Sequence, residues 1–348
     1  MLTRVKPTRS FSDELLTRYR QQGDSPADAV MATVAATAGR EGIGTLMQWL
    51  ADTGDFSTTQ QPEAVQQFFA DYAKLPNWAD PDRMKRSMVF FKKHAGLIGL
   101  CLGTYSLPYT YLGADGVQLL WLTERIKNDT ARRLQETGEW VFAVNDAKNW
   151  IGTADPSDRP NAILYTLKIR LIHAGARWFG LQSGRWNMTW GMPVNQEDMA
   201  GTNLSFSYIV LRGLRKLGVS MTEREEEDYL HHINVVSWLN GVTDDLIAHN
   251  LREAYHLDRA ISKRQFRASE AGAGLVKSLL NAVAELAGGA TGSPESIRSL
   301  AVGQMRFFLG NDYANDLNLP NVPFEQRLAS AVTRLSIFQR LIPAAPAI

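Results

Sequence analysis

Cysteine is almost absent from this chain: Cys101 is the only one in 348 residues. An internal disulfide and a cysteine-cluster zinc or iron–sulfur site are therefore excluded, which fits a reducing compartment. An excess of either charge is missing too. With 37 Lys and Arg against 36 Asp and Glu the net charge is +1, leaving no surplus of cations to displace phosphate counterions, so a general nucleic-acid binder is not expected. The opening MLTRVKPTRSFSDELL has no apolar h-region. A cytoplasmic location is expected from that, with secretion left open for a trimmed chain. Strand-type alternation is scarce, and no G-x-G-x-x-G, G-x-S-x-G, H-E-x-x-H or fixed-period repeat is found, which removes the commonest nucleotide-binding and hydrolase patterns. The one long uncharged run, AGLIGLCLGTYSLPYTYLGA at 95–114, is interrupted by glycines and Pro108. It reads as a buried helix broken near Ser106-Leu107-Pro108 rather than a membrane hairpin, so no stable membrane insertion is expected.

What is present is helix after helix. Short helices are expected at Asp13 to Arg20 and Ser25 to Ala38, the latter opened by Ser25-Pro26. Pro62 to Leu75 is amphipathic, with Val65, Phe68, Phe69 and Tyr72 on one side, and Arg83 to Phe91 starts another helix. Late in the chain Ser293-Pro294 restarts a helix after a glycine-rich turn at 288–292. Residues 306–323 read as loop-rich, and 324–341 as a closing helix. The expected fold is all-α and a single domain over 1–348, with peripheral helices at about 1–80 and 260–348.

Two stretches carry candidate chemistry. In PNAILYTLKIRLIHAGARWFG, 160–180, Pro160 can open a helix and Gly180 close it. Ile163, Leu167, Leu171 and Ala174 form an apolar face, while Arg170, His173 and Arg177 share another, the arginines at i−3 and i+4 from the imidazole. Two readings of that face stand. In one, His173 is a core histidine with a carbonyl partner and the arginines are snorkelling cations. In the other, His173 is the axial ligand of a haem iron and one or both arginines reach the propionates, since the guanidinium fork matches a carboxylate. In the second stretch, a long helix expected from about Asp115 to Val144, the residues Thr123, Ile126, Thr130, Arg133 and Thr137 form one stripe. Its apolar residues point to a largely buried helix. A solvated face with an Arg133–Glu136 ion pair is the bland alternative.

These stretches, RRLQET at 132–137 and IRLIHAGAR at 169–177, resemble the latex-clearing proteins, the b-type haem rubber oxygenases, in a wider group with the fungal oxygenase of mycophenolic acid biosynthesis. The resemblance extends from SFSD and ADAV near the start to GMPVNQEDMAGTNLSFSYIVLRGLRKLGVSMTEREEEDYL at 191–230. It implies a globin-like helical core with added helices, haem b held by His173 as proximal ligand, Arg177 near the haem, and Arg133 and Thr137 on the distal side. It also implies dioxygen as co-substrate, and cleavage of a carbon–carbon double bond in an apolar olefinic or isoprenoid substrate. Leu97, Ile98, Leu102, Leu107, Phe206 and Ile209 are candidate lining residues. Glu136 departs from the pattern, standing where the family has a lysine able to occupy the sixth iron position; it is expected to pair with Arg133. A non-catalytic haem- or lipid-binding protein is the alternative from another class. His231 and His232 follow an acidic helix start at Glu223 to Asp228, read as a solvated, capped helix N-terminus rather than a metal site with Glu227.

Overall fold

The structure is a computed structural model that describes residues 8–123, 125–150, 161–287 and 293–322. Among them the regular elements are helical, and the only β feature is an isolated bridge between Gly113 and Phe266. The helices are α1 (Asp13–Arg20), α2 (Ser25–Ala51), α3 (Glu63–Tyr72), α4 (Pro81–Cys101), α5 (Leu107–Thr110), α6 (Gln118–Leu122), α7 (Arg125–Val144), α8 (Ala162–Gln182), α9 (Gln196–Phe206), α10 (Tyr208–Lys216), α11 (Glu223–Leu239), α12 (Leu251–Gln265), α13 (Glu270–Ala287), α14 (Pro294–Leu309) and α15 (Asn311–Asp316). None of the described helices is long and apolar enough to cross a membrane. The chain falls into two compact units, each assembled from separate segments. Unit 1 takes Met1–Met88, Ala143–Leu204 and Glu223–Lys263; unit 2 takes Val89–Phe142, Ser205–Thr222 and Arg264–Ile348.

Unit 1 is organised on α2 and α8. Ala27, Val30, Met31, Val34, Ile43, Leu46 and Leu50 of α2 pack with Val65, Phe68 and Phe69 of α3 and Leu167, Leu171 and Ala174 of α8. Burying such side chains stabilises the unit by about 1.5–3 kcal/mol for each large one. The two long helices meet closely, since a Cβ on Gly175 would fall 2.3 Å from the Met47 sulfur. Helix α2 runs well past Ala38 because the chain bends at Gly39 (φ 63°) and then resumes the helix. Helix α8 is capped by Asn161, whose side chain accepts from the Ile163 and Leu164 amides; Pro160 lies outside the described residues. Gly180 is buried inside α8 rather than ending it, and the left-handed residue after the Ser183 cap is Gly184 (φ 65°).

Unit 2 contains the uncharged run. The break falls at residues 102–106, a π-helical turn between α4 and α5. There Ser106 donates to the Ser205 carbonyl and Tyr105 stacks on Phe308 at 5.0 Å. Residues 306–323 are more ordered than expected. Arg306 is buried and donates to the carbonyls of Leu319 and Pro320 and to Asn315, which lets α15 form after the left-handed Gly310. The glycine turn at 288–292 and the helix expected at 324–341 lie outside the described residues, whereas the Ser293 cap is present, accepting from the Ser296 amide.

Candidate functional site

Arg170, His173 and Arg177 all stand on α8 in unit 1, where the first residue of each ion pair is supplied by the start of α2. Asp24 caps α2 and Asp28 is one turn on. A carboxylate near a helix N-terminus is favoured by the helix dipole, and the i,i+4 spacing turns both acids to one face. Arg170 donates Nε and Nη2 to the two Asp24 oxygens at 2.6 and 2.8 Å, with both residues buried. Its guanidinium carbon also lies 4.7 Å from the Tyr72 ring centre and 5.4 Å from Phe68. The approach is possible because residue 241 is glycine: a Cβ there would sit 2.2 Å from Asp24 Oδ2, and its φ of 92° is one L side chains rarely adopt.

Arg177 is also buried, 2% exposed, but it is used differently. Its Nε donates to Asp28 Oδ1 at 2.7 Å and its Nη1 to the Val194 and Pro193 carbonyls at 2.5 and 3.3 Å. Burial pushes the Asp28 carboxyl up from its ordinary range, with Arg177 working against the rise. Val194 is held at φ 50°, uncommon for a β-branched residue. The remaining guanidinium nitrogen, Nη2, is buried and finds no acceptor among the described residues. A buried charged donor without an acceptor is costly, and a carboxylate from a bound group is the partner whose geometry suits it. Arg170 offers no such opening, since Asp24 already takes its fork. His173, half-buried, lies between the two arginines on the same helix.

The 191–198 segment is tied to this network. Asn195 accepts from the Asp198 amide and donates to the Asp198 carboxylate, a reciprocal cap for α9. Gln196 donates to the Gly23 and Gly241 carbonyls and accepts from the Thr243 amide, each at 2.9 Å. Arg20 pairs with Glu197 and Asp198 at 3.2 and 3.0 Å. Burial holds the Asp198 carboxyl above the usual carboxylate range despite Arg20. None of Asp24, Asp28, Arg20 or Gln196 was expected; the available signal was that two arginines on an apolar helix each require a carboxylate, and ADAV supplies one.

Arg133, Glu136 and Thr137 stand on α7 in unit 2. The helix expected from 115 to 144 is interrupted: α6 ends at Leu122, and Asp129 has non-helical angles (φ −146°, ψ 30°) within α7. Nor is α7 buried along its length. Arg132, Arg133, Gln135, Thr137 and Glu139 are exposed, and burial begins at Trp140. Glu136 pairs with Arg132 at 2.8 Å, not with Arg133, because the residue four positions earlier lies directly along the helix surface. Arg133 consequently forms no ion pair among the described residues. It is within electrostatic reach of Tyr111, whose buried phenol is pushed up to about 12 by desolvation, the arginine opposing. Of the expected lining residues, Ile98 and Ile209 are fully buried, while Leu97, Leu102, Leu107 and Phe206 keep some accessible surface.

His231 and His232 are not on a solvated helix start; both are buried. The His231 ring accepts from the Asp80 amide and meets Trp78 edge-on, and the His232 ring bonds the Val144 carbonyl. Burial lowers each to about 4, so both are neutral structural histidines near neutral pH. No group of three or more His, Cys, Asp or Glu among the described residues is arranged to hold a metal ion.

The model of the family described as ER-bound oxygenase mpaB/B′/rubber oxygenase, catalytic domain, matches residues 97–342. The rubber oxygenase of Streptomyces sp. (strain K30) is 24% identical over 333 residues, covering 93% of this chain and 78% of that protein. A solved structure of latex clearing protein LCP in the closed state superposes with a TM-score of 0.72 at 22% identity, over 94% of this chain and 87% of that one. This likeness is one of fold.

Proposed function

Because the chain belongs to the family of ER-bound oxygenase mpaB/B′ and rubber oxygenase catalytic domains, we propose that it is a haem b-dependent oxygenase. In this proposal it cleaves carbon–carbon double bonds of polyisoprene or a related isoprenoid olefin with dioxygen. His173 would hold the iron, and Arg133 and Thr137 would be the groups that serve dioxygen. The observation that carries the cofactor part is Arg177: one turn from His173, buried, with a donor nitrogen left without an acceptor among the described residues. That nitrogen suits a propionate, and an imidazole on the same helix suits iron. When bound, haem b supplies the redox-active iron at which dioxygen can react with an olefin.

The protein's own groups do the rest. Arg177 keeps one arm on Asp28 and the Val194 carbonyl, so a carboxylate captured by Nη2 is held against a fixed frame. Arg170, neutralised by Asp24, steadies the helix that bears the ligand rather than touching the cofactor. On α7 the Arg132–Glu136 pair draws the carboxylate away from Arg133, leaving its guanidinium and the Thr137 hydroxyl as hydrogen-bond donors toward developing negative charge on oxygen. An olefin brings no acid or base, so it must be positioned by apolar contact, for which Leu97, Leu102, Leu107 and Phe206 are the candidates.

The test is spectroscopic first. Purified, haem-supplemented protein is expected to show a Soret band that His173→Ala removes while circular dichroism stays helical. In air with an oligoisoprenoid, the wild type consumes dioxygen and releases aldehyde or ketone fragments. A protein that stays colourless ends the proposal; one that binds haem but consumes neither substrate is a binding protein instead.

A further inference from the structure

Helix α12 separates its charges by sign. Its five exposed residues are Arg252, Tyr255, His256, Arg259 and Lys263, at i, i+3, i+4, i+7 and i+11, which is a single line along a helix. Its two acids, Glu253 and Asp258, are 3% and 4% exposed. Glu253 is fully engaged on the inner side: it accepts from Arg9 Nε and Nη2 at 3.2 and 3.0 Å, from the Arg9 amide at 3.1 Å and from the His249 amide at 3.0 Å. These bonds hold its carboxyl below the ordinary range against the cost of burial, so it stays charged without neutralising the outer face. In a chain of 37 cations and 36 anions, three turns of exposed helix without an acid is a departure from mixing. The exposed part of α7 shows the ordinary case, with Arg132, Arg133 and Glu139 all exposed along it.

Tyr255 lies in the middle of this line. It is 48% exposed, the one aromatic among the large apolar side chains exposed in the described residues, and its ring meets His256 edge-on at 5.3 Å. An aromatic ring with a polar tip suits the headgroup depth of a bilayer, and a row of cations on an amphipathic helix is attracted by anionic lipid. The row spans roughly 16 Å at 1.5 Å per residue, a flat line that meets headgroups in one plane. Three cations in single file are few for a nucleic-acid groove, and the net charge of +1 adds no wider field.

We propose that the exposed face of α12 is a peripheral docking surface for anionic phospholipid headgroups. The proposal is independent of the oxygenase reading, since no residue of α7 or α8 takes part. The experiment is co-sedimentation of the full chain with phosphatidylcholine vesicles, with and without phosphatidylserine, at low and high salt. Binding is expected only with phosphatidylserine, and to fall as salt rises. Arg252→Gln/Arg259→Gln/Lys263→Gln is expected to lower the partition coefficient by roughly a hundredfold, about fivefold per cation removed. Arg252→Glu/Arg259→Glu/Lys263→Glu should lose more in the same direction, and the Gln variant keeps the test valid if the charge reversal disturbs folding. Tyr255→Ser should weaken binding severalfold at both salt concentrations. Equal binding to neutral vesicles, no binding to either, or indifference to both triple variants would each overturn it.

Discussion

Helices α7 and α8 are nearly equal in length, 20 and 21 residues, and each bears two arginines central to the proposed chemistry or its frame. They treat those arginines in opposite ways. On α8 both guanidinium groups are buried and each arrives with its own carboxylate from α2. On α7 Arg132 and Arg133 are exposed, and the ion pairs of Arg132 with Asp129 and Glu136 are surface contacts within the helix. The lesson is one of dielectric: a cation taken out of water needs a partner built into the fold, whereas one left in water does not. Substitutions on the α8 side should therefore be read first as stability changes, and those on α7 as changes in chemistry.

That contrast can be broken by measurement. Asp24→Ala leaves Arg170 as an uncompensated buried charge, and a loss of about 3–5 kcal/mol in urea unfolding is expected; a loss under about 1 kcal/mol would mean Arg170 reaches water. Gly241→Ala pushes a methyl into the same ion pair from a left-handed backbone, with an expected cost of about 2 kcal/mol or more. The histidines sharpen the picture for unit 1. His231 and His232 are lowered from 6.5 to about 4, so the folded state binds fewer protons than the unfolded one. Their contribution is complete above pH 6.5 and lost as pH falls toward 4, which urea midpoints across that window should register as a steady decline. Asp28 and Asp198, held high by burial, oppose this only where carboxylates titrate. At the small end, Glu136→Gln on α7 should shift the unfolding free energy by no more than about 0.5 kcal/mol; a larger shift would erase the distinction between the two helices.

Much of the local architecture was legible because its causes are local. Asp13–Arg20 has the expected bounds, Val65, Phe68 and Phe69 face inward, and Ser293 caps its helix through a bond three residues away. The apolar face of α8 could be read from its spacing, and the family from two short motifs. What could not be read was set by distant residues. Arg170 meets an acid 146 positions earlier, and nothing in the text around it names that acid. Residues 306–323 looked like loop because their order depends on one buried guanidinium gathering carbonyls from 319 and 320. Asp129, between Asn128 and Thr130 in a run of weak helix formers, bends α7 without any proline or glycine to announce it. The acidic run before His231 and His232 suggested solvent, but burial begins within one turn, at Glu226 and Asp228.

The wide turn at 102–106 holds one residue more than an α-helical turn would. Five residues share the widened turn where an α-helix would place four, so deleting Gly103 and letting the turn close leaves Tyr109 at nearly its present angle about the axis relative to His94. The surplus residue is taken up within the turn, and its effect is confined to the side chains that the turn carries. Tyr105 against Phe308 and Ser106 against the Ser205 carbonyl are the contacts that would report its loss, and a one-residue deletion here should disturb unit 2 more than a substitution at the same place.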